Sequence, residues 1–139
     1  MLNQNPKIQP PYGSISRLRY VLELFSTHNF PQITPTMLRD RGFSGSDAFQ
    51  TIAALKFLNI IDSEGNKTEN VTKLQLKGEE RTQAILEIVK NAYQKLFNTV
   101  AEPYKLNKDD LYNDFISVYE LSGRLAATAV PNFLWLCKE

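Results

Sequence analysis

The stretch from Thr34 to Thr68 most constrains what this chain can fold into. Residues 34–40 open with a capping threonine and a proline, as a short helix does, and the glycine-rich residues 42–45 form a turn. A second helix is predicted from Ser46 to Leu58, and residues 59–68, with Gly65 near their centre, are typical of a hairpin. Helix, glycine turn, helix and hairpin is the order of a winged helix-turn-helix.

The other segments predict a mainly α-helical protein. Residues 1–13, rich in proline, form an extended N-terminal tail; residues 14–77 form the winged-helix-like core with a small β-hairpin wing; residues 78–139 form C-terminal helices that pack on the core or dimerise. The expected helices run from Ser14 or Ser16 to about His28, from Glu79 to about Val100, from Asn107 to about Tyr119, from Leu125 to Val130, and from Pro131 onward.

Residues 71–77 fit two structures. Leu74 and Leu76 alternate with polar residues as in a strand, whereas Val71 and Leu74 also suit a helical turn. We expect a short strand here.

Charge and composition limit the kinds of partner. The net charge is +1, and Lys and Arg are not concentrated in one half of the chain, which gives no general reason for nucleic-acid binding. The single Cys137 excludes an internal disulfide and suits a reducing compartment. Since neither an export signal nor a membrane-length apolar run occurs, we expect a cytoplasmic protein that does not enter the membrane.

The helix from Ser46 supplies the candidate binding residues. Ala48, Ile52, Leu55 and Leu58 form one apolar face, which Phe49, Ala53 and Phe57 widen, while Asp47, Gln50, Thr51 and Ala54 follow helical spacing on the other side. In a DNA-binding protein that second face would enter the major groove, where Gln50 could pair with adenine and Thr51 could meet a thymine methyl. The same face could instead be solvated, or covered by the C-terminal helices.

Three cations are placed where winged helices touch the phosphate backbone. Arg39 and Arg41 flank the turn between the two helices, and Lys67 lies on the expected wing. The candidate nucleic-acid-binding residues are therefore Arg39, Arg41, Ser46, Gln50, Thr51 and Lys67.

The sequence contains no recognisable catalytic, cofactor or metal motif. His28 and Cys137 could form a nucleophilic pair only if the fold joins them, and we expect a helix-end histidine and a packed thiol. One His and one Cys cannot supply the usual ligands of zinc. Asp109 and Asp110 follow the capping Asn107, where acidic residues stabilise a helix dipole, and this is favoured over a cation site. We expect no enzyme and no cofactor.

Several structural residues form a spaced pattern along the chain: Pro11-Tyr12-x-Ser14-x-x-Arg17-x-x-x-x-Leu22, then Leu38, Gly42, Leu55-x-x-Leu58-x-Ile60-Ile61-Asp62-x-x-Gly65-x-x-Thr68, and Ala92-Tyr93-x-x-Leu96-Phe97. With further similarity at Ser122 to Ala129 and Phe133 to Cys137, this pattern resembles a bacterial family known only as a domain of unknown function. These residues are aromatic, leucine and glycine positions, so the resemblance implies a shared fold and assigns no catalytic residue. Ile60-Ile61-Asp62 and the glycine turn after a leucine-rich helix are also similar to winged-helix regulators.

Two functions remain open from the sequence. The first is a regulatory module that binds double-stranded DNA. The second is a protein–protein interaction module, in which the same helix face meets a protein partner or the C-terminal helices form a homodimer. The order of elements favours the first, and the near-neutral charge favours the second.

Overall fold

A computed structural model describes residues 9–138, which are mainly helical. Its α-helices are α1 (Ile15–Leu24), α2 (Pro35–Asp40), α3 (Gly45–Phe57), α4 (Asn70–Leu74), α5 (Gly78–Ala92), α6 (Gln94–Thr99), α7 (Lys108–Tyr119) and α8 (Gly123–Lys138), and a 3₁₀ helix covers Pro103–Lys105. None of these helices is long and apolar enough to cross a membrane.

Side-chain caps fix where five of the helices begin. A hydrogen bond from the backbone N–H three residues later is accepted by the side chains of Ser14, Thr34, Ser44, Asn107 and Ser122. The caps of α1, α2 and α7 agree with the sequence-based assignment. Helix α3 begins at Gly45 because Ser44 is its cap, one residue before the expected start.

The described backbone contains no sheet, only two isolated antiparallel bridges, which join Gln32 to Asn66 and Ile61 to Lys67. The bridged residues belong to the connection between α1 and α2 and to the connection between α3 and α4. In the same region the Ile33 N–H donates to the Gly65 carbonyl at 2.9 Å. Gly65 has a φ of +86°, and a Cβ there would lie 2.8 Å from the Ile33 oxygen. Only glycine fits this turn without strain.

Three expectations about the secondary structure were wrong. Residues 70–74 form helix α4 rather than a strand, since Val71 and Leu74 are both buried at helical spacing. The expected helix from Glu79 to Val100 divides at Tyr93, so its two apolar stripes belong to α5 and α6 and face the core separately. Pro131 lies inside α8 rather than at the start of a helix; the carbonyl that loses its N–H partner belongs to the exposed Ala127.

One apolar core joins the helices before and after residue 77. At its centre the Tyr93 ring lies 4.9 Å from that of Phe57 on α3 and 4.8 Å from that of Phe133 on α8, measured between centroids. Phe115 and Tyr119 of α7 complete the aromatic cluster. The C-terminal helices therefore pack on the N-terminal ones within the same chain.

Candidate interaction surface on the third helix

Helix α3 is packed on two sides. Ala48, Ile52 and Leu55 face α1 and α2, as the sequence predicted. On the second side Phe57 contacts the rings of Tyr93 and Tyr119.

The N-terminal segment and α8 lie against the second face of α3, where Pro11, Gly13 and Asn132 are next to Thr51 and Ala54. Thr51 is only 4% exposed and Ala54 is equally buried, so at these two residues the covered alternative is confirmed and the base-reading one is wrong. Asn132 of α8 donates through Nδ2 to the Gly13 carbonyl at 3.1 Å, which ties the N-terminal segment to α8. Thr51 is therefore not accessible to a DNA base.

Gln50 is half-buried at the edge of this covered face. A Cβ on Gly13 would lie 2.7 Å from Gln50 Oε1, so the side chain packs closely on the Gly13 backbone. Residues 9–13 lack regular secondary structure, but Pro10 and Pro11 are buried. The rest of the expected tail, residues 1–8, lies outside the described residues.

A single strip of α3 remains open, and we name it the exposed arc. At about 100° per residue it spans roughly 120° of the helix. Phe49 is 69% exposed, the most exposed of the large apolar side chains that the structure describes. The sequence placed Phe49 on the inward face, and that was wrong. The exposed arc consists of Ser46, Phe49, Gln50, Ala53 and Lys56.

The three expected phosphate-binding cations are exposed on the surface beside α2 and the bridged segment. Arg41 Nη1 donates to the Tyr20 hydroxyl at 3.4 Å, and its guanidinium lies 5.4 Å from the centre of the Phe30 ring. The Lys67 N–H donates to the carbonyl of Pro31, the residue after Phe30, so Lys67 and Arg41 belong to one region. The ion pairs of the described residues, which involve Arg17, Lys73 and Lys105, do not include Arg39, Arg41 or Lys67.

A groove borders the exposed arc where Gln50 meets the start of α8. It has a volume of about 400 Å³ and is lined by Tyr12, Gln50, Ser122, Arg124, Leu125 and Thr128. Sequence reasoning missed this groove because its walls come from three separate segments of the chain, at Tyr12, at Gln50 and at residues 122–128. Folding brings them together, and no local spacing indicates it.

The two residues that the sequence offered as a nucleophilic pair, His28 and Cys137, each pack against their own neighbours. Burial raises the pKa of the Cys137 thiol to about 11, which disfavours the nucleophilic thiolate. The His28 ring stacks on Phe30, and its Nδ1 lies 2.8 Å from the Thr27 hydroxyl oxygen. No group of three His, Cys, Asp or Glu side chains in this range is arranged to hold a metal ion.

The chain belongs to a family of unknown function (DUF5343), whose profile matches residues 11–138. No curated protein and no solved structure has significant similarity to it. The match confirms the predicted membership of a domain family of unknown function.

Proposed function

We propose that this member of the family is a non-enzymatic protein–protein interaction module, and that a partner segment binds on the exposed arc of α3. The observation that carries the proposal is the 69% exposure of Phe49 on a helix whose other sides are packed. Covering a phenyl ring that is mostly in water would contribute about 1–2 kcal/mol to binding. Aromatic side chains of this kind are common anchors of protein interfaces.

The surroundings of Phe49 also favour a protein partner over the major groove of DNA. Ser46, Gln50 and Ala53 are uncharged, so Lys56 is the one charged residue of the exposed arc. Because α3 is fixed on two sides, the ring is presented on a rigid element, which lowers the entropic cost of binding.

We infer that residues 14–77 form a winged-helix-like core. The order of the two bridges supports this: the segment before α2 pairs with the return arm at Asn66, and the segment after α3 pairs with the same arm at Lys67. In a winged helix the first and second of three short strands both pair with the third, and two helices separate the first strand from the second. The exposed arc then belongs to the helix that would be its recognition helix.

The proposal is tested by selecting a random peptide display library against the full chain. We expect recovered peptides to share an apolar residue, and the Phe49→Ser variant to bind a synthetic copy at least tenfold more weakly by fluorescence anisotropy. The matched control is Leu76→Ser, which removes another exposed apolar side chain between α4 and α5. Equal affinity for wild type and Phe49→Ser, or no recovered peptide, would contradict the proposal.

A second candidate function, binding of double-stranded DNA through phosphates, is favoured by the region of Arg39, Arg41 and Lys67. Arg41 is held in place by Tyr20 and Phe30, and no acidic side chain of residues 9–138 forms an ion pair with it. With Thr51 covered, such binding would hold the backbone without reading bases. This candidate ranks second because the chain's net charge is only +1.

Anisotropy of a random-sequence duplex, titrated at low and moderate salt, tests this second function. If it holds, binding weakens steeply with salt, and Arg41→Gln or Lys67→Gln reduces both the affinity and the salt dependence. Lys95→Gln, on α6, is the control for loss of a positive charge elsewhere on the surface. Absence of binding at low salt would discard the DNA hypothesis.

Homodimerisation through the C-terminal helices has less support than either function. The large apolar side chains of α5, α7 and α8 enter the chain's own core, and those of the described residues that stay exposed are Tyr20, Phe49, Leu76 and Tyr104.

A further inference from the structure

The groove beside the exposed arc differs from the arc in its chemistry. Among the side chains that line it, Arg124 is the only charged one, and the phenol of Tyr12 adds a hydrogen-bond donor. Arg124 is exposed, and the ion pairs of the described residues do not include it. A guanidinium without a carboxylate partner can form two parallel hydrogen bonds to an incoming carboxylate.

The arc and the groove form a continuous surface because Gln50 belongs to both. Phe49 precedes Gln50 on the exposed arc, and Arg124 lines the groove together with Gln50. A segment that covers Phe49 and continues across Gln50 would reach the groove. Its charge complement there is an acidic side chain.

We infer that the partner is a peptide segment with an apolar residue and a nearby acidic residue: the apolar residue covers Phe49, and the carboxylate pairs with Arg124 in the groove. This inference rests on the proposed function and specifies the chemistry of the partner. Charge complementarity supplies selectivity here, since an apolar segment that lacks the acid would leave Arg124 without a partner.

The peptides recovered from the display library test this inference. We expect an Asp or Glu at a fixed spacing from the apolar residue, and about a five- to tenfold weaker affinity of the consensus peptide for Arg124→Gln. A peptide in which the acid is replaced by its amide should bind wild type and Arg124→Gln equally. Arg124→Lys keeps the charge but loses the bidentate geometry, so its affinity for the consensus peptide should lie between those of wild type and Arg124→Gln. Thermal unfolding of each variant, followed by circular dichroism, checks that the fold is retained.

Two results would overturn the inference while the proposed function stands. One is a set of peptides that depend on Phe49 but contain no acid and bind Arg124→Gln as tightly as wild type. The other is self-association in sedimentation that Phe49→Ser abolishes, which would make a second copy of the chain the occupant. Failure to recover any peptide that depends on Phe49 would instead contradict both proposals.

Discussion

Replacing Phe133 with alanine is expected to lower the free energy of unfolding by about 3–5 kcal/mol. Phe133 is fully buried in α8, and its ring centroid lies 4.8 Å from that of Tyr93, 5.8 Å from that of Phe115 and 6.2 Å from that of Phe97. The substitution removes the contacts that join α8 to α6, to α7 and to the junction of α5 and α6, and it leaves a cavity. Small domains have a total stability of about 5–15 kcal/mol, so this loss is a large share.

Urea unfolding followed by circular dichroism measures this effect. The matched control is Phe49→Ala, which removes the same ring from a position that is mostly in water and should change stability by less than about 0.5 kcal/mol. If Phe133→Ala does not fold, Phe133→Leu keeps most of the volume and should cost about 1–2 kcal/mol. Two outcomes would contradict the conclusion that one core joins all the helices. One is a Phe133 variant that is as stable as Phe49→Ala, and the other is a variant whose C-terminal helices unfold in a separate step.

The helix beginnings could be predicted because their causes are local. A hydroxyl or amide oxygen at Ser14, Thr34 or Asn107 needs only the N–H three residues later, so sequence spacing is sufficient. The same reasoning placed a turn at Gly65, where the backbone needs a positive φ. The family resemblance rested on such positions and was confirmed.

The burial of Ala48, Ile52 and Leu55 was predicted, but the exposed side of α3 could not be, because most of the helix circumference is apolar or small. Phe49 is as large as any apolar side chain of the helix but is exposed, whereas the smaller Thr51 and Ala54 are buried. Helical spacing is the same for either orientation. The choice depends on the close approach of residues 10–13 and α8, which only small side chains permit.

Long-range packing also determined the helical structure of residues 70–74 and the helix break at Tyr93. Val71 and Leu74 allowed a helix or a strand, and burial against α5 selected the helix. The break at Tyr93 lets one phenol ring lie at the centre of four other aromatic rings. For the same reason the candidate site was only partly predicted: Gln50 was named from the sequence, while Phe49 and Arg124 were identified from the fold.

The same aromatic centre predicts that the protein loses stability steeply in alkali. Burial raises the pKa of Tyr93 well above its usual value of 10.0, and the nearby Tyr119 and Cys137 raise it further. Burial likewise raises the pKa of Tyr119 to about 12, despite a small opposing effect of the Leu96 backbone. In the unfolded chain both phenols lose their protons near pH 10, whereas in the folded chain they keep them.

The sign of the effect follows from proton binding. Above about pH 10 the unfolded state binds fewer protons than the folded state, so the free energy of unfolding falls as pH rises toward the folded pKa values. Each phenol that titrates only on unfolding contributes a slope of about 1.4 kcal/mol per pH unit, which gives between about 2 and 3 kcal/mol per unit for the two together. Below about pH 10, the pKa of the two phenols in the unfolded chain, their contribution to stability is fully present.

Urea unfolding at pH 8, 9, 10 and 11 tests this prediction. Tyr93→Phe and Tyr119→Phe should each flatten the slope by one phenol. Cys137→Ala should remove the slope that its buried thiol adds from about pH 9, where a thiol in the unfolded chain loses its proton. Tyr104→Phe, at a position 38% exposed, is the matched control and should leave the slope unchanged. The Tyr93 hydroxyl has no hydrogen-bond partner among residues 9–138, so Tyr93→Phe should not be less stable at pH 8. A stability that stays constant to pH 11 would mean that solvent reaches these phenols, and that the C-terminal helices do not seal the core.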